Sequence, residues 1–349
     1  MSYDHVIIGS GLAGSLLARE LIHHGKDVLV VHDPGNPGAS RIAAGLLNPI
    51  TGRRYAPAWQ LSRFLPSARQ SYRILEREFS TAFFQDEPIF RFFEDEPDRA
   101  GWQQRMHDPA VQPYRQETAE NVGARFPVHG SFGAVMITGG GFLRPSLLLD
   151  RLHALIRERA TLVEGRCERG VLHVTGRVPR PVSNLSPSIS YCEGYAVLDN
   201  PVFASLRFEF SQGDILSIRA LGFPNACAVC RGIYLVPVGE GMFLAGASYD
   251  WSSRDPSPTG AGRTWIESRL RRFLKVPFEV IDHAAGVRLT TRRRHPVVGR
   301  HPDHPATSIL NGLGSKGVLY APDCARQLAE LLAHGKPVDE ALDPKTHGI

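Results

Sequence analysis

The stretch VIIGSGLAGSLLARELIHHGKDVLVVHD, residues 6–33, leaves few folds open to this chain. The Val- and Ile-rich runs at its two ends suit buried parallel strands. Between them, SLLARELIHHG has apolar residues at helical spacing and ends on Gly25, a residue suited to terminate a helix. The spacing predicts one βαβ unit. The turn into the helix is Gly9-Ser10-Gly11-Leu12-Ala13-Gly14, a GxGxxG pattern. Its glycines permit a tight turn, close approach of the backbone to a pyrophosphate, and close helix–strand packing. The N–H groups and helix dipole then face the phosphates. Asp33 ends the second strand, where ribose hydroxyls need an acceptor. The constellation predicts dinucleotide binding and leaves FAD and NAD both open.

A second glycine-rich run, NGLGSKGVLYAP, residues 311–322, also precedes a helix-like stretch. It has the look of a loop that binds a ligand at a helix N-terminus. GASRIAAGLLNP, residues 38–49, is dense in small residues, which lets a flat ring lie against backbone.

At 349 residues the chain predicts about two domains, and 42% hydrophobic residues supply a substantial core. No apolar run of about 18 residues predicts a membrane span. The chain enters a strand by Val6, which leaves no room for a signal peptide, and its five cysteines are few and odd in number. A cytoplasmic location is expected. Cys227-Ala-Val-Cys230 has CxxC spacing but no second pair, so no metal site is expected; these read as small apolar residues beside the strand GIYLVPV. The net charge of +5 and run Arg292-Arg293-Arg294 permit an anionic substrate or a nucleic acid.

Along the chain, helices are predicted over 60–79, 144–160 and 264–274. Residues 85–140 read as a meandering antiparallel sheet, 188–194 as a strand entering a turn, and 206–250 as four strands. RVPRPVSNLSPS, from residue 177, reads as a loop. βαβ character at both ends and in the middle, with antiparallel segments between, predicts two domains assembled from interleaved pieces.

The chain resembles the D-amino-acid-oxidase-like family of FAD-dependent oxidoreductases, which includes glycine and sarcosine oxidases. The resemblance rests on GASRIAAGLL, GGFLRPSLLLDRL, YCEG, GIYLVPV with FLAGAS, and AAGVRLTTRRRHPVVG, in family order. Gly312-Leu313-Gly314-Ser315-Lys316-Gly317-Val318 is most similar to the GxGSRG of one branch, the oxidase domain of the bifunctional enzyme making 5-methylaminomethyl-2-thiouridine in tRNA. The resemblance implies a mixed α/β fold. A Rossmann-like FAD-binding domain with a parallel sheet is expected over 1–55, 141–200 and 284–349. A substrate domain with an antiparallel sheet is expected over 56–140 and 201–283.

It also implies FAD as cofactor, held by Gly9, Gly11, Leu12, Ala13, Gly14 and Asp33 at the nucleotide end. Ser40, Arg41, Ala44, Gly45, Leu46, Cys167 and Gly194 would follow along the flavin. Gly314, Ser315, Lys316, Gly317 and Val318 would lie at the flavin ring, with Arg288 beside them. The implied activity is oxidation of the C–N bond of a small amino acid or glycine-like secondary amine. Hydride passes to flavin, water hydrolyses the imine, and oxygen or another acceptor takes the electrons. The alternatives are a tRNA wobble-uridine carboxymethylaminomethyl oxidase and a flavoprotein without amine oxidation. Arg288 stands at the family's carboxylate-binding arginine, whose planar fork pairs two oxygens. Lys316 would add a second cation, Tyr234 a hydroxyl or ring wall, and Tyr249 a weaker contribution of the same kind. The family often has Pro where Leu289 stands and Asp where Arg293 stands, and more commonly Glu in place of Asp33. The basic exchange implies a more anionic ligand or a repacked surface.

Overall fold

The computed structural model describes residues 3–36, 38–116, 125–130, 132–175 and 188–348. The expected loop from residue 177 falls outside the described residues, apart from its last position.

The opening motif folds as its pattern dictates. His5–Ile8 and Val28–His32 are adjacent parallel strands, and Leu12–His23 is the helix between them. Every residue of the first strand is buried, as apolar runs in the middle of a parallel sheet must be. Leu12, Leu16, Leu17 and Leu21 bury one helix face. Gly25 reverses the chain at φ 71, and the Lys26 N–H bonds back to the Leu21 carbonyl.

These strands lie at the centre of a seven-stranded sheet. Its order is Val171–Thr175, Thr161–Glu168, Val28–His32, His5–Ile8, Ser188–Tyr191, Thr307–Asn311, Val297–Arg300. The five inner strands run parallel, and both edge strands are antiparallel. The first helix packs against the last, Gly317–His334, and against Pro145–Arg159. Their leucines and alanines, with Phe64 and Tyr72 of the helix Leu61–Phe79, form one continuous core.

A second, eight-stranded sheet carries the strands of the middle of the chain. Its longest members, Phe208–Arg219 and Glu279–Thr291, pair antiparallel along their length. The first two of the four strands expected over 206–250, LRFEF and DILSIRA, are thus one: the chain continues extended through Gly213. The expected domain boundary between 283 and 284 falls inside Glu279–Thr291. Helix Gly260–Phe273 covers this sheet by burying Ile266, Leu270 and Phe273 against Phe92, Phe126, Phe223 and Phe243.

The region 85–140 is not wholly strand. Ile89–Phe92 and Ala134–Ile137 pair antiparallel, but Glu96–Arg105 is a helix. Asp95 caps it by accepting the Asp98 N–H at 2.8 Å, and Pro97 occupies its first turn. Those two residues are start signals for a helix, here outweighed by the Pro and aromatic content around them.

No described helix is long and apolar enough to cross a membrane.

Candidate active site

One cavity runs between the two sheets. The carboxyl ends of the first two parallel strands line one end, at Ile8–Ala13 and Val31–Asp33. The antiparallel sheet lines the other, with Gly213, Tyr234, Tyr249 and Arg288. The mouth beyond the carboxyl ends of parallel strands is where open α/β sheets take ligands.

The first end is built from backbone. A Cβ on Gly14 would overlap the Gly9 carbonyl, and one on Gly9 would overlap the Cys192 carbonyl, so strand, turn and helix touch main chain to main chain. A Cβ on Gly11 would meet only the Ser40 side chain, leaving that side of the turn open to the cavity. The helix has no acidic residue in its first turn, so the field of its N-terminus is uncompensated. Ser40 Oγ accepts the Leu12 N–H at 3.2 Å. Asp33 lines the cavity next to this loop, while its Oδ1 accepts the Gly35 N–H. Amides at the turn, a positive helix end and an acid at the end of the next strand are the donors and acceptor that a dinucleotide requires, and FAD fits them.

Three residues not singled out in the sequence support this loop. Ser10 Oγ lies 2.6 Å from His32 Nδ1, and the Ser10 carbonyl is 2.8 Å from both His153 Nε2 and the Ser15 hydroxyl. Burial lowers both histidines below the ordinary imidazole value, which keeps them neutral beside Arg41. His32 could have been found, since it directly precedes Asp33 at the strand end. His153 is brought in by a separate helix and carries no local signal.

The middle of the cavity takes its wall from Ser40, Arg41, Ala44, Gly45, Leu46, Cys167 and Gly194. Gly45, at φ 70, sits against the Leu143 carbonyl, leaving no room for a side chain. Arg41 Nη1 reaches Asp150 at 2.8 Å. Glu193, unpredicted, lines the same wall. Burial pushes its carboxyl up to about 6, although Asn200 donates to it at 2.9 Å. Burial, with this carboxylate beside it, pushes the Cys167 thiol up to about 12. Cys167 is therefore a protonated wall residue without nucleophilic character.

The second glycine run closes the cavity. Gly314, Ser315, Gly317 and Val318 line it; Lys316 does not. Burial and the nearby Arg294 both lower the Lys316 ammonium from its usual value. Asn311 joins this loop to the middle wall of the cavity, since its Nδ2 donates to the Gly194 carbonyl at 3.0 Å while its Oδ1 accepts the Gly312 N–H at 2.9 Å.

At the far end, Arg288 projects from Glu279–Thr291. Its Nη1 donates to the Ser248 carbonyl at 3.3 Å, and its guanidinium lies 4.5 Å from the centre of the Tyr249 ring. It forms no ion pair among the described residues. Gly213 lies directly beneath it, and a Cβ there would overlap both Nη atoms. Tyr234 shares this wall, with its hydroxyl pushed upward by burial.

Ser248 is held in turn by Asp214, which is 1% exposed. The Asp214 carboxylate accepts the Ser248 hydroxyl at 2.8 Å, the Thr259 N–H at 2.7 Å and the Thr259 hydroxyl at 3.0 Å. His283 Nε2 stands 2.8 Å away. Burial alone would raise this carboxyl, but these donors hold it below the usual range. The three partners come from three separate segments, so no local pattern in the sequence marks this hub.

Burial pushes the Cys227 and Cys230 thiols up to about 11 and about 12, and both are free cysteines.

A family model described as FAD dependent oxidoreductase matches residues 4–331. Glycine oxidase from Pseudomonas aeruginosa is 25% identical over 369 residues, covering 99% of this chain and 98% of that protein. The tRNA 5-methylaminomethyl-2-thiouridine biosynthesis bifunctional protein of Marinobacter nauticus is 24% identical over 351 residues. The match covers 93% of this chain but 54% of that protein, so the chain spans about half the length of this relative. The solved structure of glycine oxidase from Bacillus cereus superposes with a TM-score of 0.81 at 19% identity, covering 98% of this chain and 97% of that one. That likeness speaks for the fold.

Proposed function

The chain belongs to the family of FAD dependent oxidoreductases, and from that premise we propose that it oxidises the C–N bond of a small amino acid or glycine-like secondary amine. It is an enzyme, and its cofactor is FAD. The observation that carries the substrate reading is Arg288, a guanidinium in the cavity wall with no acidic partner among the described residues. Charged groups are rarely placed in a cleft without a counter-ion unless a ligand brings one.

Bound FAD would supply the acceptor for the hydride on the carbon beside nitrogen, and the imine so formed is hydrolysed by water. Arg288 pairs with the two carboxylate oxygens of the amine and so sets the orientation of that carbon. The Ser248 carbonyl and Tyr249 ring hold the guanidinium in place before the substrate arrives. Burial keeps Tyr234 protonated at neutral pH, which leaves its hydroxyl available as a donor facing the same space. Lys316 contributes field from behind the loop, because its side chain is not on the wall.

Anaerobic mixing of the purified yellow protein with a panel of amines tests the reading. Loss of visible flavin absorbance with glycine-like acids, but not with their amides, is the expected result. Failure of every amine to bleach the flavin would leave two readings, an oxidase acting on tRNA and a flavoprotein without amine oxidation.

One observation favours a second reading. Arg292, Arg293 and Arg294 are exposed, next to Arg288 in sequence, and unpaired among the described residues. They suit a polyanion, so a tRNA wobble uridine carrying a glycine-like side chain is the alternative substrate. A KM on tRNA that climbs steeply with salt would support it.

A further inference from the structure

Tyr249 and Trp251 are 55% and 56% exposed. Single exposed apolar residues are ordinary on a protein surface. These two are neighbours, their rings 6.2 Å apart and within 18° of parallel. Of the exposed large hydrophobic residues described, Tyr249 is the one that lines the cavity.

The segment carrying the two rings is also rigid. Asp250 exchanges both backbone hydrogen bonds with Gln212, at 2.8 and 2.9 Å. Its carboxylate accepts the Ser252 N–H at 2.7 Å and the Ser252 hydroxyl at 2.6 Å. Gln212 is itself 1% exposed, within the long strand Phe208–Arg219. With Asp250 paired as a strand residue, its neighbours 249 and 251 point to the same side. Two aromatic rings are thus held in water, Tyr249 against Arg288 and Trp251 alongside Tyr249, where burying them would be favourable.

We propose that Tyr249 and Trp251 form a stacking platform at the cavity mouth for a planar aromatic or heteroaromatic ring attached to the substrate. The physiological amine is then a ring-bearing amino acid or secondary amine, not free glycine. The inference rests on the reading that Arg288 holds the substrate carboxylate. A ligand anchored there lies against Tyr249, and its extension toward solvent passes over Trp251. Stacking is the interaction two near-parallel exposed rings offer, and it accepts any ring with a π-face.

The test uses the FAD-loaded enzyme and three N-substituted glycines carrying benzyl, cyclohexylmethyl or ethyl groups. Benzyl and cyclohexylmethyl are alike in size, but only benzyl is planar. The expected KM for the benzyl compound is about tenfold below that for the cyclohexylmethyl compound. Trp251→Ala removes this difference, and Trp251→Phe keeps most of it. Calorimetry with (benzylthio)acetate and (cyclohexylmethylthio)acetate, which lack the nitrogen, gives the same ratio as dissociation constants without turnover. Equal KM values for benzyl and cyclohexylmethyl, or a ratio that Trp251→Ala leaves unchanged, would overturn the platform alone, provided the acids still bind through Arg288. If no carboxylate-bearing ligand binds, or Arg288→Ala changes none of these constants, the substrate reading falls and the platform with it.

Discussion

The two ends of the cavity are made of different material. At the end formed by the first glycine loop the surface is main chain: glycines pressed against carbonyls, and amides at a helix start. At the Arg288 end, where we place the amine, it is side chain, with Arg288 suspended between a ring, a carbonyl and a glycine, and a buried aspartate behind them. A backbone surface recognises what nucleotides share. A side-chain surface can be rebuilt one residue at a time. The difference predicts that mutations at the first end remove the cofactor and that mutations at the second alter only what is oxidised.

Gly14→Val should have the largest effect. Its Cβ has no space against the Gly9 carbonyl, and overpacking there should cost about 3 kcal/mol or more. The expected protein is colourless and melts early; a variant that purifies with full FAD content would break the comparison. Arg288→Ala comes next, with FAD content unchanged. The loss in kcat/KM for a carboxylate-bearing amine should correspond to about 2–5 kcal/mol, as for truncating one partner of a buried charge pair. Equal activity on acid and amide in the parent enzyme would remove the basis of this prediction.

Asp214→Asn sharpens the comparison, because Asp214 touches neither cofactor loop. The amide keeps one acceptor oxygen and turns the other into a donor, so it cannot accept from Ser248, Thr259 and His283 together, which should loosen the Ser248 carbonyl that tethers Arg288. KM should rise about tenfold, the effect of losing one charged hydrogen bond, with kcat and FAD content near those of the parent. A fall in FAD content would show instead that the hub serves the whole fold.

Glu193, between the two ends, should give the smallest effect. Its folded value of about 6 lies above the ordinary 4.5, so the folded state retains a proton that the unfolded chain has released. Its favourable contribution is full below about pH 4.5 and is lost as pH rises through about 6. Melting temperatures of parent and Glu193→Gln between pH 4.5 and 7 should therefore diverge. The parent should lose stability relative to the variant as pH rises. Parallel curves would mean that Glu193 titrates normally.

The same division decides what the sequence revealed. Backbone sites are written in glycine spacing, so Gly9, Gly11, Gly14, Asp33 and the run from Gly312 were recognisable from local pattern. Arg288 was recognisable only by family resemblance. The Asp214 hub, His153 and Glu193 were not, since their surroundings depend on segments that meet only in the folded chain. Helix Glu96–Arg105 was missed for a different reason: its cap and proline were present, but the surrounding composition pointed to strands.

The central position of the first strand has a consequence for synthesis. His5–Ile8 is flanked by Val28–His32 and Ser188–Tyr191, and the first helix is covered by Gly317–His334. The first strand and helix thus find their last covering partner about 300 residues later in the chain, roughly 15–60 s at ordinary translation rates. Until then VIIGSGLAGSLLA, the most apolar part of the nucleotide site, has no lasting cover. Chaperone demand should therefore track the arrival of the C-terminal helix, and truncations that remove it should aggregate even though every residue of the first loop is intact.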